Sequence, residues 1–328
     1  MIRKFFAALG CAVLGAAVML LALPLLPGQL LPHGRAETLA ATEAETAPAE
    51  PEPFDEAVTL RVLVDGAVRE QTLHDYLVCV LLAEVPSGFA AEALKAQACA
   101  ARTFALRQAG AGKHAEADVC ASAACCQGWC APEQWPEHAA AEAAVTETDG
   151  LAVVYDGQLI DATYFSCSGG RTEAAVAVWG GEIPYLQSVP SPGEEDAPRE
   201  TETLTFTAEE FRDHITPARP DADLSGTPES WFGTVRYTAG GGIGTLELGG
   251  ASFTGTELRR LLGLRSTDIE FSPQEDGVTV TTHGFGHRVG LSQYGAEAMA
   301  QAGRRFDEIL LHYYQGTEIR RLTLDGEK

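Results

Sequence analysis

Apolar positions change their spacing several times along the chain, and each change predicts an element. From Phe5 to Leu26 no charge interrupts the apolar run. At roughly 1.5 Å per residue it would extend about 33 Å as a helix, enough to span a bilayer. From Val58 the period falls to two: TLRVLVDGAVREQTL alternates around Asp65-Gly66, the pattern of a β-hairpin. LHDYLVCVLLAEV is apolar almost throughout and predicts a helix, with Asp75 as its candidate N-cap. Ala93, Leu94, Ala98, Ala101, Phe104 and Ala105 then recur near a helical period, predicting a helix from Phe89 that Gly110 ends. A further helix is expected from about Pro136 to Glu147, and GLAVVYDGQLIDATYFS reads as a second hairpin through Asp156-Gly157. Residues 191–235 look loose. Within them TAEEFRDHI is a short helix, with Thr207 and Glu210 placed for a capping box. FTGTELRRLLGL is another short helix, DGVTVTTHGFGH returns to a strand, and HRVGLSQYGAEAMAQAG and RRFDEILLHYYQGTEI supply the last helices. No internal repeat is evident.

This alternation of helices and hairpins predicts an α+β fold, mixed helices and antiparallel sheet in one elongated extracytoplasmic domain after an N-terminal transmembrane helix. Arg3 and Lys4 precede the apolar run, and no Lys or Arg follows it before Arg35, so the short N-terminus stays in the cytoplasm and the rest is exported. A cleaved signal peptide is the competing reading, but the run is long for one and lacks a clean small-x-small cleavage site. His33 to Glu56 is rich in Ala, Glu, Thr and Pro without apolar periodicity, the composition of a disordered tether. The expected organisation is a cytoplasmic stub at 1–4, an anchor at 5–26, an acidic linker at 27–56, a folded domain at 57–322 with a Cys-rich loop at 114–130, and a tail at 323–328.

Charge narrows the partners. The chain has 328 residues and a formal charge of −23. Such a field repels polyphosphates and argues against nucleic acid, whereas a carbohydrate held by hydrogen bonds and stacking is compatible with it.

Four stretches hold candidate chemistry. Glu84 is a lone acid in an apolar run ahead of Pro86 and Gly88. In a dry setting its pKa would rise, and a protonated carboxyl can donate to a glycosidic oxygen. By chemistry alone, an exposed acid at a helix end is the plainer reading. His114, Cys120, Cys125 and Cys126 offer one imidazole and three thiolates within one loop, with Cys130 close by. That set suits tetrahedral zinc, while export also permits disulfides. TYFSCSGGRTE follows a strand and reads either as a pocket floor or as a tight turn, and its Cys167, with His287 and Arg171, reads as a candidate nucleophile set. HGFGHRVGLSQYGA has too many glycines for a helical metal pair. It reads as a binding loop or a structural one.

Three of these stretches together resemble the stage II sporulation protein D family: LLAEVPSGFAAEALKAQACAARTFA, YFSCSGGRTEAAVAVWGGEIPYLQSV and HGFGHRVGLSQYGAEAMAQAG, in that order and across most of residues 58–322. The resemblance implies a peptidoglycan lytic transglycosylase, a lyase that cuts between N-acetylmuramic acid and N-acetylglucosamine in strands stripped of stem peptides. It implies action during forespore engulfment, from the mother-cell membrane facing the intermembrane space, beside a peptidoglycan amidase/endopeptidase and a membrane scaffold protein. Glu84 matches the family's catalytic acid. Gln97, Arg102, Tyr164, Ser166, His287, Ser292 and Gln293 are the implied substrate-binding residues, with Arg102 equally suited to a structural ion pair. Some clostridial members carry a zinc site in this loop, and its pattern, His then Cys then an adjacent His-Cys pair, maps to His114, Cys120, Cys125 and Cys126, with Cys125 where the pattern has His. Such a site would be structural, since four protein ligands leave no open position. The alternative is a non-catalytic glycan-binding enhancer of a wall amidase.

Overall fold

The computed structural model describes residues 53–131, 134 and 138–324, within the compact unit Pro51–Lys328. The anchor expected at 5–26 and most of the expected linker lie outside the described residues. Among the described residues no helix is long and apolar enough to cross a membrane.

The fold begins before the boundary expected at residue 57. Phe54–Ala57 is a short helix, α1, and its Asp55 is buried. β1 (Thr59–Val64) and β2 (Ala67–Thr72) form the expected hairpin, paired from Thr59↔Thr72 to Val64↔Ala67. Asp65 and Gly66 both take φ above zero (50° and 81°), as a two-residue turn of this kind requires. α2 (Leu73–Glu84) follows at once. Its cap is Thr72, whose hydroxyl accepts from the Asp75 N–H, so Asp75 lies within the first turn and is not the cap. α2 stops at Glu84 because Pro86 forces the preceding residue out of helical geometry; Val85 is extended at φ −127° and ψ 147°. α3 (Ala91–Ala111) runs slightly past the expected end, to a left-handed cap at Gly112. β3 (Val119–Cys120) adds in parallel to β1, and α4 (Ala139–Glu147) crosses α2 and α3.

The middle of the chain holds shorter pieces. β4 (Leu151–Tyr155) turns through Asp156-Gly157 into β5 (Gln158–Leu159). β6 (Tyr164–Phe165), β7 (Gly170–Arg171), α5 (Ala175–Trp179) and β8 (Pro190–Ser191) follow. The stretch expected to be loose, 191–235, opens a lobe that runs on to residue 283: β9 (Thr201–Thr207), α6 (Ala208–Ile215), β10 (Phe232–Tyr237), β11 (Ile243–Leu248), β12 (Ala251–Phe253), α7 (Gly255–Leu262), β13 (Asp268–Gln274) and β14 (Gly277–His283), of which α6, α7 and β14 match expected elements. Its strands form two antiparallel sheets, β10-β11-β12 and β13-β14-β9. β15 (Leu291–Ser292) returns to pair with β6. α8 (Gln293–Gln301), α9 (Phe306–Tyr313) and β16 (Glu318–Arg321), paired with β4, close the described chain. The class is α+β, as the pattern predicted.

Three apolar cores underlie this arrangement. α3 is shared by two of them. Leu94, Ala98, Ala101 and Ala105 face the core made with α2, while Ala93, Ala96, Cys99 and Ala100 face the one made with α8 and α9. Alanine on both faces lets neighbouring elements approach α3 closely, which fixes α2 and α8 relative to each other. The third core belongs to the lobe, where Phe211 stacks on Trp231 at 5.7 Å between ring centres.

Candidate functional site

α2 is apolar on all sides, as a helix buried in a core must be, until it emerges at Ala83 and Glu84. Glu84 is half-buried at that end. Two adjoining clefts of about 540 and 550 Å³ flank it and share Glu84, Ser166, Arg199 and Gln293. Among the described residues, Glu84 is the only carboxylate lining either cleft. Burial is the main influence on it and raises its pKa above the ordinary carboxylate range. The N–H of Gly128 and the side-chain amide of Gln293 oppose that rise. The Gly128 N–H donates to Glu84 Oε1 at 2.5 Å. Gly128 must be glycine for this approach, since a Cβ there would lie 2.8 Å from the same oxygen. The Gln293 amide faces the carboxylate without closing a hydrogen bond of ordinary geometry; its Nε2 is buried and unpartnered among the described residues.

The three sequence signatures meet at this point. β6 and β15 pair in parallel, Leu291↔Tyr164 and Ser292↔Phe165, which sets Tyr164 and Ser166 beside Gln293. Tyr294 N–H donates to Ser166 O at 3.0 Å and tightens the join. Tyr164, Ser166, His287 and Gln293 all line the 540 Å³ cleft with Glu84. Behind them Gln127 spans two tyrosines. It accepts from Tyr76 O–H at 3.0 Å and donates to the Tyr164 hydroxyl oxygen at 2.9 Å and to Ala101 O at 3.4 Å. Tyr164 is therefore an acceptor inside the protein. Burial, and then the negative charge of Glu84, raise its pKa and keep it protonated.

Arg102, Gln97, Ser292 and Cys167 line neither cleft. Arg102 is 0% exposed and does not reach the clefts; it donates to Asp55 at 2.5 Å and to the backbone oxygens of Val145 and Leu151. It is a structural cation, and its partner lies in the segment read as linker. Gln97 is buried on α3, its amide atoms unpartnered among the described residues, and it lines neither cleft. Ser292 is buried and caps α8, its hydroxyl accepting from the Gly295 N–H at 3.2 Å. His287 is neutral above acidic pH: burial pulls its pKa down to about 4, and its Nδ1 accepts from the Val289 N–H. Cys167 is buried, and burial followed by the charge of Glu194 pushes its thiol up to about 11. A thiol buried and pushed up in this way is not activated as a nucleophile, which weighs against the set of Cys167, His287 and Arg171.

The Cys-rich loop does assemble its four candidates. The ligand atoms of His114, Cys120, Cys125 and Cys126 all lie within 4.8 Å of one another, with His114 Nε2 at 3.3 Å from Cys126 Sγ and 3.8 Å from Cys125 Sγ. Those separations suit the edges of a tetrahedron around one zinc-sized ion. Cys120, Cys125 and Cys126 are free thiols, so no disulfide joins the cysteines of the cluster to one another. Cys130 is outside the cluster and packs against Cys79 O. The loop runs straight into the site, because Cys126 lines the cleft, Gln127 holds Tyr164 and Gly128 holds Glu84.

Sequence reasoning missed Gln127, Gly128 and Arg199. The first two carried a weak signal, following directly on the cysteines; Arg199 carried none. A family model described as Stage II sporulation protein matches residues 65–155, a span holding Glu84 and the Cys-rich loop. Over 271 residues the chain is 38% identical to stage II sporulation protein D of Bacillus subtilis (strain 168), covering 77% of this chain and 76% of that protein. It is 36% identical over 294 residues to stage II sporulation protein D of Bacillus amyloliquefaciens, covering 85% and 84%. It is also 28% identical over 288 residues to the amidase enhancer of Bacillus subtilis (strain 168), covering 72% of this chain and 39% of that protein.

Proposed function

The chain belongs to the stage II sporulation protein D family, and on that premise we propose that it is a lytic transglycosylase acting on peptidoglycan strands that lack stem peptides, during forespore engulfment. Membership in the family supports a cell-wall role in sporulation. The observation that carries the reaction is the lone carboxylate, half-buried and raised in pKa, between two clefts without a second acid. Ordinary glycosidases generally use two carboxylates, one to protonate the leaving group and one to act as nucleophile or activate water. A single acid/base suffices if the substrate supplies its own nucleophile.

In this mechanism protonated Glu84 gives its proton to the leaving glycosidic oxygen as positive charge develops at the anomeric carbon. The Gly128 N–H then supports the carboxylate that forms. That carboxylate takes the proton from the 6-hydroxyl of the same muramyl residue, which attacks the anomeric carbon and closes a 1,6-anhydro ring. Tyr164, Ser166 and Gln293, which line the cleft beside Glu84, would hold the sugar. We assign a structural zinc ion to His114, Cys120, Cys125 and Cys126; it would supply a rigid crosslink to the loop that carries Gln127 and Gly128. We place the domain outside the cytoplasm on an anchor over residues 5–26, beside a wall amidase/endopeptidase and a membrane scaffold protein.

The test is product analysis by mass spectrometry on strands stripped of peptides. The wild type is expected to release fragments with anhydro ends, one water lighter than hydrolytic ends, and Glu84→Gln none. Hydrolytic ends would refute the mechanism. A second reading, a glycan-binding enhancer of a wall amidase, is favoured by the similarity to the amidase enhancer. Binding without cleavage by the wild type would select it.

A further inference from the structure

The formal charge of −23 makes a lone cation at the site informative. Among the described residues, Arg199 is the only Lys or Arg lining the two clefts, and it lines both. It is exposed, and its guanidinium lies over the Phe285 ring, 5.4 Å from the centre. Arg265 approaches the same ring at 5.8 Å but is tied to Glu202 at 2.9 Å. No carboxylate of the described residues lies within 4.0 Å of Arg199. The acids nearest in sequence are engaged elsewhere or point away from the clefts. Glu194 is buried against Ser168 and Ser191, Glu200 bonds Thr201 and approaches His283, and Glu195 and Asp196 line neither cleft. A guanidinium stacked on an aromatic ring, unpaired and open to a cleft, is pre-organised for a bidentate carboxylate.

The substrate proposed above has one carboxylate per muramyl residue, on its lactyl ether. It is an amide while a stem peptide is attached and a free anion once the peptide is gone. We propose that Arg199 binds this free lactyl carboxylate and so sets the specificity for stripped strands. The assignment rests on the glycan-cleaving reading of the same clefts. A single cation suits one monovalent group. An amide at that position would lose the ion pair and would bring a peptide against Arg199 and Phe285.

The full chain would be titrated calorimetrically with a muramyl-containing tetrasaccharide carrying free carboxylates, and with the same tetrasaccharide converted to methylamides. Wild type, Arg199→Gln and Arg199→Lys would be compared, and cleavage of both probes followed separately. The wild type should bind the free acid about tenfold more tightly than the methylamide. Arg199→Gln should bind both as the wild type binds the methylamide, and Arg199→Lys should recover part of the difference. A wild type indifferent to amidation, or an Arg199→Gln protein that still discriminates, overturns the proposal. So does loss of both probes by Arg199→Gln with unchanged thermal unfolding. Discrimination without cleavage of either probe would keep the carboxylate site and defeat the lyase reading. Equal binding and cleavage of both would keep the lyase and defeat the carboxylate site.

Discussion

The cleft region and the lobe of residues 201–283 are built by different rules. In the lobe, local signals and tertiary structure agree. Thr207 and Glu210 close a capping box, Thr254 caps α7, and Gly263 ends it in the left-handed region. Arg219 is fixed by Asp221 and Glu257 at the surface. Of the buried polar side-chain atoms without a partner among the described residues, the lobe contributes only the hydroxyl of Thr282. Outside the lobe the unpartnered atoms belong to Gln71, Gln97, Trp129, Glu173, Arg288 and Gln293; of these only Gln293 lines the clefts, beside Glu84, which is held where its charge is disfavoured. The lobe follows local rules almost throughout, whereas the carboxylate proposed to do chemistry is placed against them.

The largest expected effect falls on the cleft side of this contrast. Arg102→Ala would leave Asp55 buried and unpaired, and should cost about 3–5 kcal/mol in chemical unfolding. A loss below about 1 kcal/mol, the range of an exposed pair such as Arg219–Asp221, would show that the pair is not a structural keystone. Gly128→Ala comes next. Its Cβ would press on Glu84 Oε1, so cleavage should fall by about tenfold or more, in the range a displaced acid/base loses, while unfolding changes little. Unchanged cleavage would mean that Gly128 does not position the acid.

The pH dependence sharpens the same point. The folded state raises the pKa of Glu84, so the protonated form is favoured on folding. The associated stability is present below the ordinary carboxylate pKa and is lost as pH rises through the raised value. Cleavage should fall over the same upper window, because the acid form is consumed. Thermal unfolding of wild type and Glu84→Gln across pH checks the first effect: the wild type should lose more stability in that window than the variant, which keeps the burial-raised carboxyls of Asp161 and Asp268. The smallest effect belongs to the lobe. Thr207→Ala removes one cap and should cost about 1 kcal/mol without altering cleavage rates. A fall in cleavage would show that the lobe and the cleft are coupled, and their joint is well defined. Arg288 donates to Ser168 O on one side and to Gly240 O and Asp268 on the other, with Glu173 accepting from Thr238 and Gly242 of the lobe.

The same contrast governs what could be read from the sequence. Both hairpins were legible because Asp-Gly is a strong turn signal, and α6 because its capping box is local. The lobe's sheets were not. β9 buries its Leu204 and Phe206 only partly and alternates them with exposed Thr, so its contrast is weak, and β10 is interrupted by Gly233. Glu84 was legible through its neighbours and the family motif. The sequence leaves Arg102 open between a binding role and a structural pair, because its partner Asp55 sits in a segment whose composition resembles a tether. Ser292 was taken for a binding group although its position before α8 suits a cap. Arg199 depends on a tertiary juxtaposition with Phe285 that no local pattern announces.

The central claim is that Glu84 serves as the only acid/base and the substrate as its own nucleophile. Cleavage of stripped strands in water enriched in heavy oxygen tests it most directly. The account predicts anhydro-muramyl ends that carry no solvent oxygen, in the wild type and absent from Glu84→Gln. Heavy oxygen at the new ends would mean that a water is activated in the cleft, and would contradict it.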